Sequence, residues 1–402
     1  MRIGLFHNAP SGGAKRAIYE WTRRLSRNHE VDVYTLSTAD HAYCDIRPYV
    51  AEHKVMKFDP NRLFGSPFGR LNQLQRWRDL EELAALSERI AETIDNGYYD
   101  VVFAHTCRFT VIPLILQFLE TPSVFYLHEP LTNSRPIARP YVKQNGLRLT
   151  IDRYDPLITM YQAKLSTLQR KSLFAANLLL ANSRFTQREM KRLFGVDAPV
   201  SRLGVALKSF HPLSGIKKKP FVVSVGEMSP RKGFDFIVES LGRISVHSRP
   251  ALKLACNRIE VPELIYVKKL AEKHEVVLEV VCKLDTEELL HLYNQASVCV
   301  YAPIKEPFGL VPLESMACST PVVGVNEGGV EESIIDEYTG LLVERDPQQF
   351  AGAVQRLLLD QKLASDYGSN GRRHVEDNWS WSDSTAKLER FLMRVSAIQA
   401  ED

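Results

Sequence analysis

Lys305-Glu306-Pro307-Phe308-Gly309-Leu310-Val311-Pro312-Leu313-Glu314 reads as a loop running into a helix. The run before it, Val298–Tyr301, is apolar and largely β-branched, as a buried strand should be. A helical stretch around Leu313–Cys318 follows, and then a second strand-like run at Pro321–Val325. Strand, loop, helix and strand in that order build parallel sheets. Gly309 permits close backbone approach, and the free N–H groups of a helix start favour an anion such as a phosphate. Glu306 and Glu314, eight apart, could each accept hydrogen bonds from sugar hydroxyls. The same pair also suits a solvated loop glutamate and a first-turn partner of the helix dipole. Spacing alone leaves both readings open.

The pattern repeats outward in both directions. Phe221–Val225 is a strand ending in Val225-Gly226-Glu227-Met228-Ser229-Pro230-Arg231-Lys232-Gly233, where adjacent Arg231 and Lys232 put compact positive charge at the strand end. Such a pair suits a departing diphosphate, or is simply an exposed basic turn. Further strands are expected at Leu252–Ala255 and Val276–Val281. In the first half they are expected at Ile3–His7, Val31–Leu36, Val101–Ala104, Ser123–Leu127 and Leu178–Ala181, with Ser183 as the N-cap of the next helix. Ser11-Gly12-Gly13-Ala14-Lys15-Arg16 forms the first strand-to-helix turn; it matches neither G-x-G-x-x-G nor a Walker loop. Tyr126-Leu127-His128-Glu129-Pro130 ends a strand, and Pro130 keeps Glu129 extended, so His128 should face a cleft or serve as an ordinary structural histidine. Ala206–Pro220, with the run Lys217-Lys218-Lys219 and three breakers, reads as a linker.

A chain of 402 residues with 45% hydrophobic and 25% charged residues is long enough for two globular domains and unlike a disordered or coiled-coil chain. A net charge of +3 excludes a general nucleic-acid binder. No two of the six cysteines are spaced as CxxC, which argues against zinc and for a reducing, cytoplasmic setting. The N-terminal apolar run is too short for a signal peptide, and Val111–Leu119 is about half the length of a membrane span.

Taken in order, these motifs resemble the retaining GT-B glycosyltransferases of the glycogen-synthase-like and mannosyltransferase-like group, the glycosyltransferase family 4 type. Glu306-Pro307-Phe308-Gly309-Leu310 with Glu314 looks like the family's E-x7-E block. Cys318–Val323 and Gly328-Gly329-Val330-Glu331-Glu332 look like its following strand and turn. Arg231-Lys232-Gly233, Leu179–Ser183 with Phe185-Thr186, and the Trp379–Trp381 segment also have counterparts.

The resemblance implies an α/β fold, GT-B, with two Rossmann-like doubly wound domains facing a central cleft. Residues 1–205 would form the acceptor-side domain, 206–219 the linker, 220–378 the nucleotide-sugar domain, and 379–402 a helix crossing back. It implies a hexosyltransferase moving sugar from GDP-mannose or a UDP-sugar to a glycan, lipid-linked or other hydroxyl acceptor, with no metal or other cofactor. Its roles carry over as follows. His128, Glu306, Arg231 and Lys232 would be catalytic. Gly12, Gly13, Gly226, Lys283, Leu284, Phe308, Gly309, Leu310 and Glu314 would join Glu306, Arg231 and Lys232 around the donor, with Glu314 on the ribose. The alternatives are a non-catalytic nucleotide- or glycan-binding relative, or a GT-B phosphorylase or epimerase. Glu227 where the family carries Arg, and Cys282 and Ser319 where it carries Gly, motivate the first; Ala206 also stands where the family carries Asp.

Asn61–Leu80 interleaves Arg62, Arg70, Trp77 and Arg78 with phenylalanines, and an enlarged segment carries Arg135 and Arg139. Basic and aromatic residues together suit an anionic membrane face or a lipid-phosphate acceptor, or pack as an ordinary surface helix. Residues 1–200 carry 27 Lys and Arg against 20 Asp and Glu; residues 201–402 carry 24 against 28. The basic half is expected to face the acceptor.

Overall fold

The structure, a computed structural model, describes residues 1–65, 68–130, 137, 139–141 and 155–400. Among the described residues the strands form two six-stranded sheets, all parallel, with helices between them. In the first half the strands are β1 (Arg2–Asn8), β2 (Glu30–Leu36), β3 (Glu52–Met56), β4 (Val101–Cys107), β5 (Ser123–Leu127) and β6 (Leu178–Ala181). Their order is β3-β2-β1-β4-β5-β6. The second half contains β7 (Lys219–Val225), β8 (Ala251–Cys256), β9 (Leu278–Cys282), β10 (Ala296–Tyr301), β11 (Val322–Val325) and β12 (Gly340–Val343), in the order β12-β11-β10-β7-β8-β9. Each sheet reverses its strand order once, between β1 and β4 and between β7 and β10. Ligands in such sheets bind beyond the strand C-termini at that reversal. His7, Gly226 and the Ala302–Gly309 loop all lie at those ends.

The inner strands are buried on both faces, which is why they read as apolar runs. The two strands not expected above are β3 and β12, both at sheet edges. β3 is polar and half-solvated, and β12 has four residues.

The helix Trp381–Ser396 returns to the first half. It packs on the helix Gly13–Leu25, where the Trp21 indole N–H donates to Ser384 Oγ at 3.1 Å. Val205 N–H donates to Trp379 O at 2.9 Å. A Cβ on Gly204 would lie 2.5 Å from Trp381 N, so only glycine fits this crossing.

Candidate functional site

Two loops of the second half lie side by side. Ile304 N–H donates to Arg231 O at 2.8 Å, joining the loop after β10 to the Pro230–Lys232 turn after β7. Gly233, at φ 65°, is required here because a Cβ would fall 2.0 Å from Ala302 O. Lys232 then reaches Glu306 with its ammonium 3.0 and 2.9 Å from the two carboxylate oxygens. The two side chains are 20% and 19% exposed, so the pair is reachable from solvent. Gly226 makes room for the lysine stem: a Cβ there would come 3.3 Å from Lys232 Cγ. Gly328, at φ 68°, and Gly329 press the other side of the Glu306 loop, and Gly329 N–H donates to Glu306 O at 2.7 Å.

Glu314 sits on the helix Leu310–Ala317 and is nearly buried. Its Oε1 is paired with Arg16, and its Oε2 accepts from the Tyr293 hydroxyl at 3.0 Å. Arg16 arrives from the Gly12-Gly13 turn. Gly12 has φ 143°, a conformation that favours glycine, and a Cβ on Gly13 would contact Leu310 Cδ1 at 3.5 Å. The glycine turn thus lies directly over the start of the Glu314 helix.

The first half supplies the opposite wall. Arg231 is about half exposed, and its guanidinium lies 3.6 Å from Glu129 Oε2. That contact sets the residue after His128 beside the Arg231-Lys232 turn. The His128 carbonyl accepts from Asn182 Nδ2 at 2.7 Å, and its Nε2 lies 3.1 Å from Nδ1 of the buried His105. Burial pushes the His128 imidazole down to about 3 and the His7 and His105 imidazoles well below their ordinary value. The Lys15 ammonium, fully buried 3.2 Å from His7 Nε2, is pushed down to about 8 by burial.

Backbone and side chain part company at several of the expected donor residues. The Phe308 ring is buried edge-on against Trp379, which leaves its backbone as the part able to meet a ligand. Lys283 has φ 56°, and its N–H donates to Cys256 O at 3.0 Å. Leu284 lines an open depression of about 390 Å³ together with Glu279, Asp285, Glu288 and His291. Glu227 Oε1 accepts from Ser229 Oγ at 3.1 Å, within its own loop.

Arg139 overturns an expectation. It does not belong to an acceptor or membrane face; it is buried against the second half. Its guanidinium donates to Glu263 at 2.9 and 2.8 Å, to Asp235 at 2.7 Å and to Pro230 O at 3.2 Å. Glu263 has no exposed surface, and a buried carboxylate demands such a partner. Arg62 and Arg78 are exposed, whereas the Trp77 indole donates to Glu81 at 2.7 Å and lies under Lys164. Arg135 and the Arg70 side chain lie outside the described residues.

Sequence reasoning missed Arg16, Tyr293, Glu129 and His105. It also missed Glu332, whose Oε1 accepts from Arg184 N–H at 2.6 Å and whose Oε2 pairs with Arg202 at 3.1 Å. Arg16, Glu129 and Glu332 each have a local signal, standing in the glycine turn, beside His128 and in the Gly328-Gly329 turn; Tyr293 and His105 have none.

Residues 11–204 match the family model for Glycosyltransferase Family 4, and residues 208–374 match that for Glycosyl transferases group 1. The chain belongs to these glycosyltransferases. Among curated proteins, the alpha-maltose-1-phosphate synthase of Mycobacterium tuberculosis is 28% identical over 243 residues. That match covers 54% of this chain and 62% of the relative, so the chain spans less than two thirds of it. A sucrose-phosphate synthase structure from Thermosynechococcus elongatus aligns with TM-score 0.74 and 20% identity, covering 99% of both chains. Anabaena Alr3699/HepE, solved in complex with UDP and glucose, aligns with TM-score 0.70 and 19% identity over 98% of this chain and all of that one. The shared fold is GT-B, two Rossmann-like domains. Among the described residues no helix of this glycosyltransferase is long and apolar enough to cross a membrane.

Proposed function

We propose that the protein transfers a hexose from a nucleotide-diphosphate sugar, GDP-mannose or a UDP-sugar, to a hydroxyl of a glycan or lipid-linked acceptor, with retained anomeric configuration and without a metal. The observation that carries this reading is the Lys232–Glu306 pair beside Arg231 at the ends of β7 and β10. The UDP held by the Anabaena relative supports a nucleotide-sugar donor.

In this reading Lys232 and Arg231 take up the negative charge of the diphosphate as the bond from the anomeric carbon to the phosphate oxygen breaks. Lys232 exchanges the Glu306 carboxylate for phosphate, which frees Glu306 to accept from sugar hydroxyls. Glu314 holds the ribose hydroxyls once Arg16 gives way. The acceptor oxygen attacks the face the phosphate is leaving, and that phosphate takes the acceptor's proton. His128, neutral at pH 7, donates a hydrogen bond toward the reacting sugar. Incubation with a panel of nucleotide sugars should show transfer or slow donor hydrolysis. Lys232→Ala and Glu306→Ala should each lower turnover by roughly a hundredfold or more. Equal turnover in those variants removes the site assignment. Binding of a nucleoside diphosphate without turnover supports the non-catalytic alternative, and phosphate-dependent or epimerised products support the other.

We place the acceptor at the cytoplasmic face of an anionic membrane. Leu63 and Phe64 are 54% and 44% exposed, next to the exposed Arg62, and exposed Leu71 and Leu74 lead on to exposed Arg76 and Arg78. An apolar edge set in basic residues matches an anionic lipid surface. Co-sedimentation with phosphatidylglycerol vesicles, reduced by Phe64→Ser with Arg62→Ser, is the expected result. Equal binding to phosphatidylcholine vesicles counts against it.

A further inference from the structure

His105 does nothing in the scheme above, yet it is packed directly against His128. It is fully buried at the end of β4. Its ring lies edge-on to Phe103 with centroids 4.1 Å apart, stacks with Trp21 at 6.0 Å and meets Tyr126 at 6.2 Å. Among the described residues only Nδ1 finds a polar partner, Nε2 of His128 at 3.1 Å. Nε2 of His105 is buried with no hydrogen-bond partner among them.

We propose that His105 is a positioning residue that fixes which nitrogen of His128 carries the proton. Two neutral rings at 3.1 Å share one proton, so one ring donates and the other accepts. Were His105 the acceptor, its own proton would sit on Nε2 as a buried N–H with no acceptor. Orphaned buried N–H groups are rarer than underused acceptors. His105 therefore carries its proton on Nδ1 and donates it to His128 Nε2. That leaves the His128 proton on Nδ1, which has no partner among the described residues, in a side chain that is only partly buried. His128 accordingly offers the cleft a donor, the form suited to a sugar oxygen or to developing negative charge. Protonating His105 would place a cation between Trp21, Phe103 and Tyr126, and burial opposes that strongly. The aromatic cage thus keeps the pair neutral, and the orphan nitrogen sets its direction.

The inference rests on His128 facing the reacting sugar, so its test has a readout that needs no turnover. Long-range proton–nitrogen NMR of the full chain labelled with nitrogen-15 histidine, with His128 assigned by the loss of its signals in His128→Gln, reads the tautomer directly. The expected result is protonated Nδ1 and bare Nε2 in the wild type. His105→Asn places an amide N–H near the old Nδ1 and should keep that tautomer and most of the turnover. His105→Phe fills the cage without a donor. It should move His128 toward the Nε2–H form and lower kcat roughly tenfold with KM for the donor unchanged, the size of one hydrogen bond. A wild-type His128 protonated on Nε2, or a His105→Phe protein with the wild-type tautomer, overturns the proposal. A correct tautomer in a protein that transfers no sugar instead overturns the proposed function and leaves the His105 assignment standing.

Discussion

The two walls of the cleft solve the same problem with opposite chemistry. The second-half wall is ionic: Lys232 pairs with Glu306, Arg345 pairs with Glu327 at 2.7 Å, and Glu314 takes Arg16 from across the cleft. The first-half wall is built around imidazoles held neutral: His7, His105 and His128 have lowered pKa values, while Lys15, pushed down to about 8, stays mostly protonated at pH 7. Ion pairs at a half-open surface can exchange partners, so they suit the proposed exchange with an anionic donor. Buried neutral imidazoles cannot exchange, so they suit a wall that holds a fixed hydrogen-bond direction.

Acid is the largest lever on that difference. An unfolded histidine titrates near 6.5, and the folded His128 only at about 3. Above pH 6.5 both states are neutral and the ring's contribution is constant. Below it the unfolded chain takes protons that the folded chain refuses, so stability falls by ~1.4 kcal/mol per pH unit per buried imidazole. Three such rings should therefore remove several kcal/mol between pH 6.5 and 4.5, before most carboxylates titrate. Urea midpoints at pH 7, 6 and 5 measure this, and a flat series breaks the contrast between the walls.

Removing Arg139 comes next. Arg139→Ala leaves Glu263 buried without its cation, which should cost ~3–5 kcal/mol. Adding Glu263→Gln should restore a large part of the loss, since the stranded charge rather than the missing contact is the main penalty. A loss under ~1 kcal/mol in the single variant would show that the buried pair is not held as described.

Gly329→Ala should be smaller in stability and visible in binding. Its Cβ would lie 2.4 Å from Pro307 O and 2.9 Å from Phe308 Cα, so the Glu306 loop must shift. Nucleoside diphosphate affinity should fall roughly tenfold by calorimetry, the effect expected from about an ångström of misplacement or less. An unchanged affinity would mean that the loop position does not matter to the ionic wall.

The contrast also explains what the sequence could disclose. Ten of the strands announce themselves because each is an apolar run; β3, a polar and half-solvated edge strand, does not. Glu306, Lys232 and Glu314 stand in short motifs whose loop geometry is local. Their partners are not local. Arg16 lies 298 residues from Glu314, and Arg139 lies 124 residues from Glu263. Nothing within a window of sequence marks such pairs, so from sequence Arg139 looks like one more cation for an acceptor or membrane face. The charge asymmetry between the halves acquires a second use for the same reason. Arg16, Arg139 and Arg188 answer Glu314, Asp235, Glu263 and Glu331 across the cleft. Part of the basic excess thus holds the two halves together and is not available to an acceptor.

Arg16 and Arg139 finally separate an exchangeable bridge from a fixed one. Both answer a buried glutamate of the other half, but Glu314 keeps the Tyr293 hydroxyl when Arg16 is removed, and Arg16 is itself partly exposed. Arg16→Ala should therefore cost only ~1–2 kcal/mol, less than Arg139→Ala. Its effect on ligand should run the other way. If Glu314 must leave Arg16 to hold a ribose, deleting Arg16 removes a competitor, and affinity for a nucleoside diphosphate should hold or rise. Glu314→Ala should lower the same affinity roughly tenfold, the size of a charge-assisted hydrogen bond. A loss in Arg16→Ala as large as that in Glu314→Ala would mean that Arg16 binds the ligand itself, and the ionic wall would then extend onto the first half.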